Sequence, residues 1–291
     1  IATLSSDQAA ALTVDQLSGL KAMQIQAITT DALQGLDTSQ VAALNEFQIN
    51  ALTPEQIAAL STDQVAAIET QDLATLNKAQ IQALTADQVA NLTSDQAQAL
   101  THAQIAALQT EDLVAMSTTN IAALDAGQLT SMSQVQLSNL TNDQIAAIET
   151  QDLVTLNNAQ LAALQTQQIA AMTTDQVSHL SSRQVASLPT QDLNALTTDQ
   201  VQALSTAQVA VLTANQVGRL NTTNLSSLLT DQVQALSQRA VGAITPTQVS
   251  ATNIGFVIAP RRVPRDRSTV LPEPIDTYSG MRFDQIVRDL R

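Results

Sequence analysis

The 291-residue chain carries 26 acidic and 12 basic side chains, a formal net charge of −14, with two histidines and no cysteine. Disulfides, thiolate metal sites and thiol nucleophiles are thereby excluded, and so acidic a chain is poorly matched to a phosphate backbone, which sets nucleic acid aside as a partner. No run of about 18 or more apolar residues occurs, and no basic segment leads into an apolar one, so neither membrane insertion nor a signal peptide is expected.

Ile1 to Thr3 read as the end of an earlier repeat, as though the chain were processed or excised from something longer. From Leu4 to Ala251 an eight-residue pattern recurs 31 times without insertion or deletion. Leu196 to Ala203, LTTDQVQA, is a clean copy. Position 1 is Leu, Ile or Met in all 31 copies and position 6 is always aliphatic, while position 8 is usually Ala; these are the expected buried sites. Position 2 is Ser, Thr, Asp or Asn in 24 copies and position 5 is Gln in 23. Those two positions spell a capping box. The position 2 side chain accepts from the N–H three residues on, and the Gln reaches back to the N-cap N–H. Leu196 then stands at N′ and Val201 at N4, the pair that closes a hydrophobic staple. Asp199 faces the positive end of the helix dipole, and Pro54 and Pro246 fall at N1, where a missing N–H costs nothing.

One continuous helix is ruled out by the period. Eight residues overshoot two turns by about 80°, too far for supercoiling to absorb, so the apolar stripe would smear around the surface. The helix therefore breaks in every octad, and pieces of about six residues depend on stacking against one another. The expected fold is an all-α solenoid of very short helices, one per octad, occupying residues 1–251.

A second period overlies the first. Thr70, Thr110, Thr150, Thr190 and Thr230 stand at position 3 of octads lacking a capping residue at position 2, and four of these octads carry Asp at position 5: Asp72, Asp112, Asp152 and Asp192. Every fifth helix is expected to begin one residue late. Two accounts of this five-octad spacing stay open. In one, five helices make each turn of a pentagonal tube whose edges lie about 8 Å from the axis. In the other, the chain grew by copying blocks of five or ten octads, as the likeness of IETQDLATLNKAQ from Ile68 to IETQDLVTLNNAQ from Ile148 suggests. The only aromatic residue of the repeats, Phe47, sits at position 4 and is expected to face outward.

Beyond Ala251 the composition changes. Residues 252–291 hold seven of the twelve basic residues and three of the four aromatics, net +2 against −16 for the repeats. Ile254 to Ala259 has the content of a short strand; Ala259 to Arg267, APRRVPRDR, is basic and extended by its prolines; Met281 to Arg291 suits a short amphipathic helix. A basic arm on an acidic tube fits docking on a second copy or capping of its own solenoid. The candidate self-assembly residues are Ile254, Phe256, Val257, Arg261, Arg262, Arg265, Arg267, Phe283, Ile286 and Leu290.

No catalytic, metal-ligating or cofactor-binding set is visible, and the chain is not expected to be an enzyme. His102 and His179 occupy different octad positions and read as solvated side chains. With a five-octad turn, Asp72, Asp112, Asp152 and Asp192 would form a column about 10 Å apart. Calcium takes roughly six to eight oxygen ligands, so single carboxylates so spaced share no Ca²⁺ ion. No cofactor is expected, with a structural Ca²⁺ site at this column, where Glu69 and Glu149 are close by, as the minor alternative to local capping.

Runs such as LTPEQIAALSTDQVAAI and LTTDQVQALSTAQVAVL resemble the L-T-x-x-Q-[VI]-x-A repeats of very large secreted or surface-exposed proteobacterial proteins of the adhesin-like or haem-utilisation-like kind. The resemblance covers residues 4–251 and implies an extracellular or cell-surface structural or adhesive role; it carries over no functional residues. Two functions follow as expectations. One is a structural spacer or filament subunit whose tail contacts a neighbouring copy. The other is an adhesin-type module presenting positions 3, 4 and 7 to a glycan or surface, although those positions are poor in the Trp, Tyr and Arg that usually anchor binding.

Overall fold

The computed structural model describes residues 1–251. They form 31 helices of four to six residues, one per octad, from Ser6–Ala10 to Pro246–Ala251, and no strand is present among them. The expected strand at 254–259, the helix at 281–291 and all ten candidate self-assembly residues lie outside the described residues.

The octad breaks where its chemistry says it must. Leu60 (φ −62°, ψ 144°) and the N-cap Ser61 (φ −70°, ψ 162°) are both extended, and two such residues in succession turn the chain out of one helix and into the next. Among the described residues no backbone has positive φ, so these corners need no glycine, which accounts for its scarcity. Most corners are closed on the helix side by a tight bond from the position 1 N–H to the position 6 carbonyl, as from Leu60 to Ile57 at 3.2 Å. On the other side stands the expected capping box: Ser61 N–H donates to Gln64 Oε1 at 2.8 Å while Gln64 N–H donates to Ser61 Oγ at 3.1 Å.

Burial follows the octad. Position 6 is buried from Ala9 to Val233 and position 1 from Ile28 to Ile244. Position 8 departs from expectation: it is mostly half-buried, and only Ala51 and Ala107 are fully enclosed. Its place in the interior is taken by the position 5 glutamine.

The late start expected of every fifth helix is not observed. Thr70, Thr110, Thr150, Thr190 and Thr230 are first helical residues, and the N-caps are Glu69, Gln109, Glu149, Pro189 and Leu229, none of which makes a side-chain cap bond. The Glu69 carbonyl opens its helix in the ordinary way, accepting from Asp72 N–H and Leu73 N–H at 3.0 and 2.9 Å. Burial of positions 1 and 6 fixes where the helix begins, and a missing cap does not move it.

The described residues divide into two compact units, one spanning Ile1–Met172 and the other beginning at Thr173. Within the first, helices pack against partners three octads away: Ser6–Ala10 on Thr30–Gln34, and Ala86–Ala90 on Thr110–Ala115. Side chains bridge the same interval, Gln109 Nε2 reaching the Gln82 carbonyl 27 residues back and Ser94 Oγ meeting Asn120 Oδ1 26 residues on. The second unit repeats the rule, with Thr206–Ala210 packed on Thr230–Ala235 and Asn194 Nδ2 donating to the Arg219 carbonyl 25 residues on. A turn thus takes a little over three octads. The five-helix turn is corrected, and the reason is filling of the axis. Edges of about 12 Å closed as a triangle leave only about 3 to 4 Å from edge to centre, which Val, Ile and Leu fill; a pentagon would leave a void they cannot. The position 6 side chains Val65, Leu73 and Ile81 are accordingly 0% exposed.

Candidate functional site

The position 5 glutamine does more than cap. Its Oε1 is held by its own N-cap, which aims Nε2 at the corner of the turn before. Gln64 Nε2 donates to the Leu33 carbonyl at 2.9 Å and the Leu36 carbonyl at 2.7 Å, 31 and 28 residues back. Gln88, Gln104 and Gln136 repeat the pair in the first unit, and Gln208 and Gln248 do so in the second. These amides give the position 1 carbonyl its partner and the position 6 carbonyl, already bonded to the position 1 N–H, a second one, in an interior where an unmet acceptor is costly. Position 5 was therefore read incompletely from sequence. The available signal was the complete absence of Glu there: a capping box accepts Glu or Gln, but only Gln carries the N–H groups that tie one turn to the next.

At the ladder's first turn, Gln8, Gln16 and Gln24 are exposed and keep only the cap. Asn120 and Asn224 serve as shorter clamps, donating to the Leu92 and Leu193 carbonyls at 2.7 and 2.8 Å. The aspartates break the ladder. Asp72 is 5% exposed and its carboxyl makes no hydrogen bond among the described residues. Burial, with Glu69 and Glu46 nearby, raises its pKa above the ordinary carboxylate value. Asp112 is 3% exposed with Oδ2 unpartnered, and burial likewise raises it, against a hydrogen bond from the Gln109 backbone. Asp152 is raised by burial and by Asp125 and Glu149, while the Ala126 N–H holds it down. Because a turn is shorter than five octads, Asp72, Asp112 and Asp152 do not fall on adjacent turns, and the carboxylate column dissolves. Among the described residues no group of three or more His, Asp or Glu side chains suits a metal ion.

Beside Asp72 opens a cavity of about 580 Å³, lined by Leu44, Glu46, Phe47, Glu69 and Asp72 among others. Phe47 is 78% exposed, as its octad position predicts. His102 lies 3.8 Å from Asp125 and His179 3.4 Å from Asp175, both pairs well exposed.

These features define an octad-repeat α-solenoid with a glutamine ladder. The ALTTAQ repeat model matches residues 65–102, 105–142, 145–182 and 185–222, more than half the chain, and the chain belongs to that repeat family. Comparison with curated proteins gives no match. Successive matches start five octads apart, at positions 65, 105, 145 and 185. Five octads are thus the unit of sequence while a little over three are the unit of the turn, which favours block copying as the origin of the longer period.

Proposed function

We propose that this protein is an extracellular or cell-surface structural protein, a spacer or filament subunit, whose basic tail contacts the solenoid of a neighbouring copy. The observation that carries the reading is the glutamine ladder. In each unit the buried amides bond the turn before, and the outward positions are mostly small and polar, so the repeat favours propagation of its own structure over recognition of a ligand. Among exposed large apolar side chains, Phe47 is the one aromatic of the described residues, which leaves an adhesive glycan-binding surface with little to anchor it. The resemblance to secreted proteobacterial repeat proteins suggests the compartment; no helix among the described residues is long and apolar enough to cross a membrane. Electron microscopy and light scattering of the full chain beside one lacking residues 252–291 test the proposal. Continuous fibres that require the tail agree with it; assembly unchanged by the deletion overturns the tail's role.

A further inference from the structure

The break in the ladder at Asp72 leaves acceptors facing acceptors. In the register used by the glutamines, Asp72 lies over the carbonyls of Val41 and Leu44, but a carboxylate brings them no N–H. Glu46 and Glu69 border the same cavity, and Phe47 stands at its edge. A buried charged group needs a compensating partner, and Asp72 has none among the described residues. Such a lining suits a cation with several hydrogen-bond donors and a flat face for an aromatic ring. That description fits a guanidinium, with five N–H groups in a plane, better than an ammonium, which is a point charge.

The copy of this arrangement ten octads further along is filled differently. There Asp152 receives the Ala126 N–H, His102 Nε2 lies 3.8 Å from Asp125 Oδ1, and His102 fills the space beside Gly127 so closely that a Cβ there would overlap Nε2. In the first arrangement the residue corresponding to His102 is Ala22 and the one corresponding to Gly127 is Phe47. The imidazole that packs beside Gly127 has no counterpart at Ala22, and an aromatic ring, Phe47, and a further carboxylate, Glu46, are present instead.

We propose that the cavity at Glu46, Phe47, Glu69 and Asp72 receives an arginine side chain from residues 259–267 of a second copy. This rests on the self-assembly reading above and names its contact. The argument for this occupant is charge complementarity: APRRVPRDR carries four arginines between Arg261 and Arg267, on a chain whose repeats are net −16. Prolines in such a sequence favour an extended backbone, from which side chains can enter a cavity singly.

The test uses the full chain with R261Q, R262Q, R265Q and R267Q, so that its own segment does not compete, titrated into a fluorescent synthetic peptide of residues 259–267. Saturable binding is expected, weakened at least about tenfold by Asp72→Gln and by Phe47→Ala, and also when the peptide's arginines are replaced by lysine. Asp72→Gln restores the residue that holds this position elsewhere, so the solenoid keeps its helical circular dichroism while the cavity loses its carboxylate. Equal binding by the Asp72→Gln protein, or by the lysine peptide, overturns the site in favour of diffuse charge attraction. Light scattering separates the two readings: a wild-type chain that assembles as well with Asp72→Gln as without it removes this site and leaves self-assembly standing. A wild-type chain that stays monomeric overturns the second-copy contact together with self-assembly, even where the cavity still binds the peptide.

Discussion

Replacing Gln64 by Glu separates the two jobs of the position 5 side chain. The shape is kept, and so is the oxygen that accepts from Ser61 N–H at 2.8 Å. What is lost is the pair of donors to Leu33 and Leu36, and in their place a carboxylate faces two carbonyl oxygens at a side chain only 3% exposed. Two buried hydrogen bonds are worth about 1 kcal/mol each, and leaving the Leu36 carbonyl and a charge unmet raises the total to about 3–5 kcal/mol. Gln8→Glu is the matched control, since Gln8 is exposed and bonds only its own cap; its effect stays within about 0.5 kcal/mol. Stability in a solenoid is a local sum, and a long array need not unfold in one step. The assay is therefore urea titration read by segment-resolved hydrogen exchange, following amides 33–41 and 57–68. Loss of protection in both segments with Gln64→Glu, and in neither with Gln8→Glu, is expected. Equal effects of the two substitutions would refute the inter-turn role of the amide.

The converse change, Asp112→Gln, removes the unpartnered Oδ2 and supplies an amide to the Ile81 and Leu84 carbonyls; protection around residues 81–84 and 109–113 is expected to rise by about 1–3 kcal/mol. Asp72, Asp112 and Asp152 each have a pKa raised by burial first. For a raised acid the stability contribution is present below the unfolded value and is lost as pH rises through the folded one. Hydrogen exchange at these three corners is therefore expected to slow as pH falls from neutral through the raised values toward the ordinary 3.8, after correction for the intrinsic rate, and the triple Asp→Gln protein is expected to lack this trend. A Cβ on Gly35 would overlap the Ser6 carbonyl oxygen, whereas one on Gly19 meets only atoms at 3.6 Å. Gly35→Ala is expected to cost about 1–3 kcal/mol and Gly19→Ala nothing or a slight gain, read from urea midpoints.

Much of the fold was legible because the octad states it twice, once in the mismatch between eight residues and the helical pitch and once in the capping box. The burial of Leu and Val at positions 1 and 6 followed from the staple those positions form. The number of helices per turn did not follow. The prominent five-octad period is a property of how the repeat is copied, while the turn is set by how much aliphatic volume fits around the axis, a packing quantity with no periodic signature. Taking Thr70 and its counterparts as late caps gave local hydrogen bonding too much weight against the burial of neighbouring leucines. The cavity at Asp72 was illegible for a geometric reason: Glu46 and Phe47 come within reach of Glu69 and Asp72 only once a turn is known to take a little over three octads, and on a pentagonal path they would lie on different edges. Phe47 itself was correctly placed outward, and the candidate residues of the tail lie outside the described residues.

The central claim is the length of the turn, and a chain without cysteine allows it to be read by cross-linking. Asn194 and Asn221 are bonded across one turn, Asn221 N–H donating to Asn194 Oδ1 at 2.7 Å and Asn221 Nδ2 to the Asn194 carbonyl at 3.0 Å. Asn194→Cys with Asn221→Cys is expected to form an intramolecular disulfide under mild oxidation, and Asn194→Cys with Gln234→Cys, five octads apart, is expected to remain reduced. A disulfide in the second pair and none in the first would restore the five-helix turn and contradict the account.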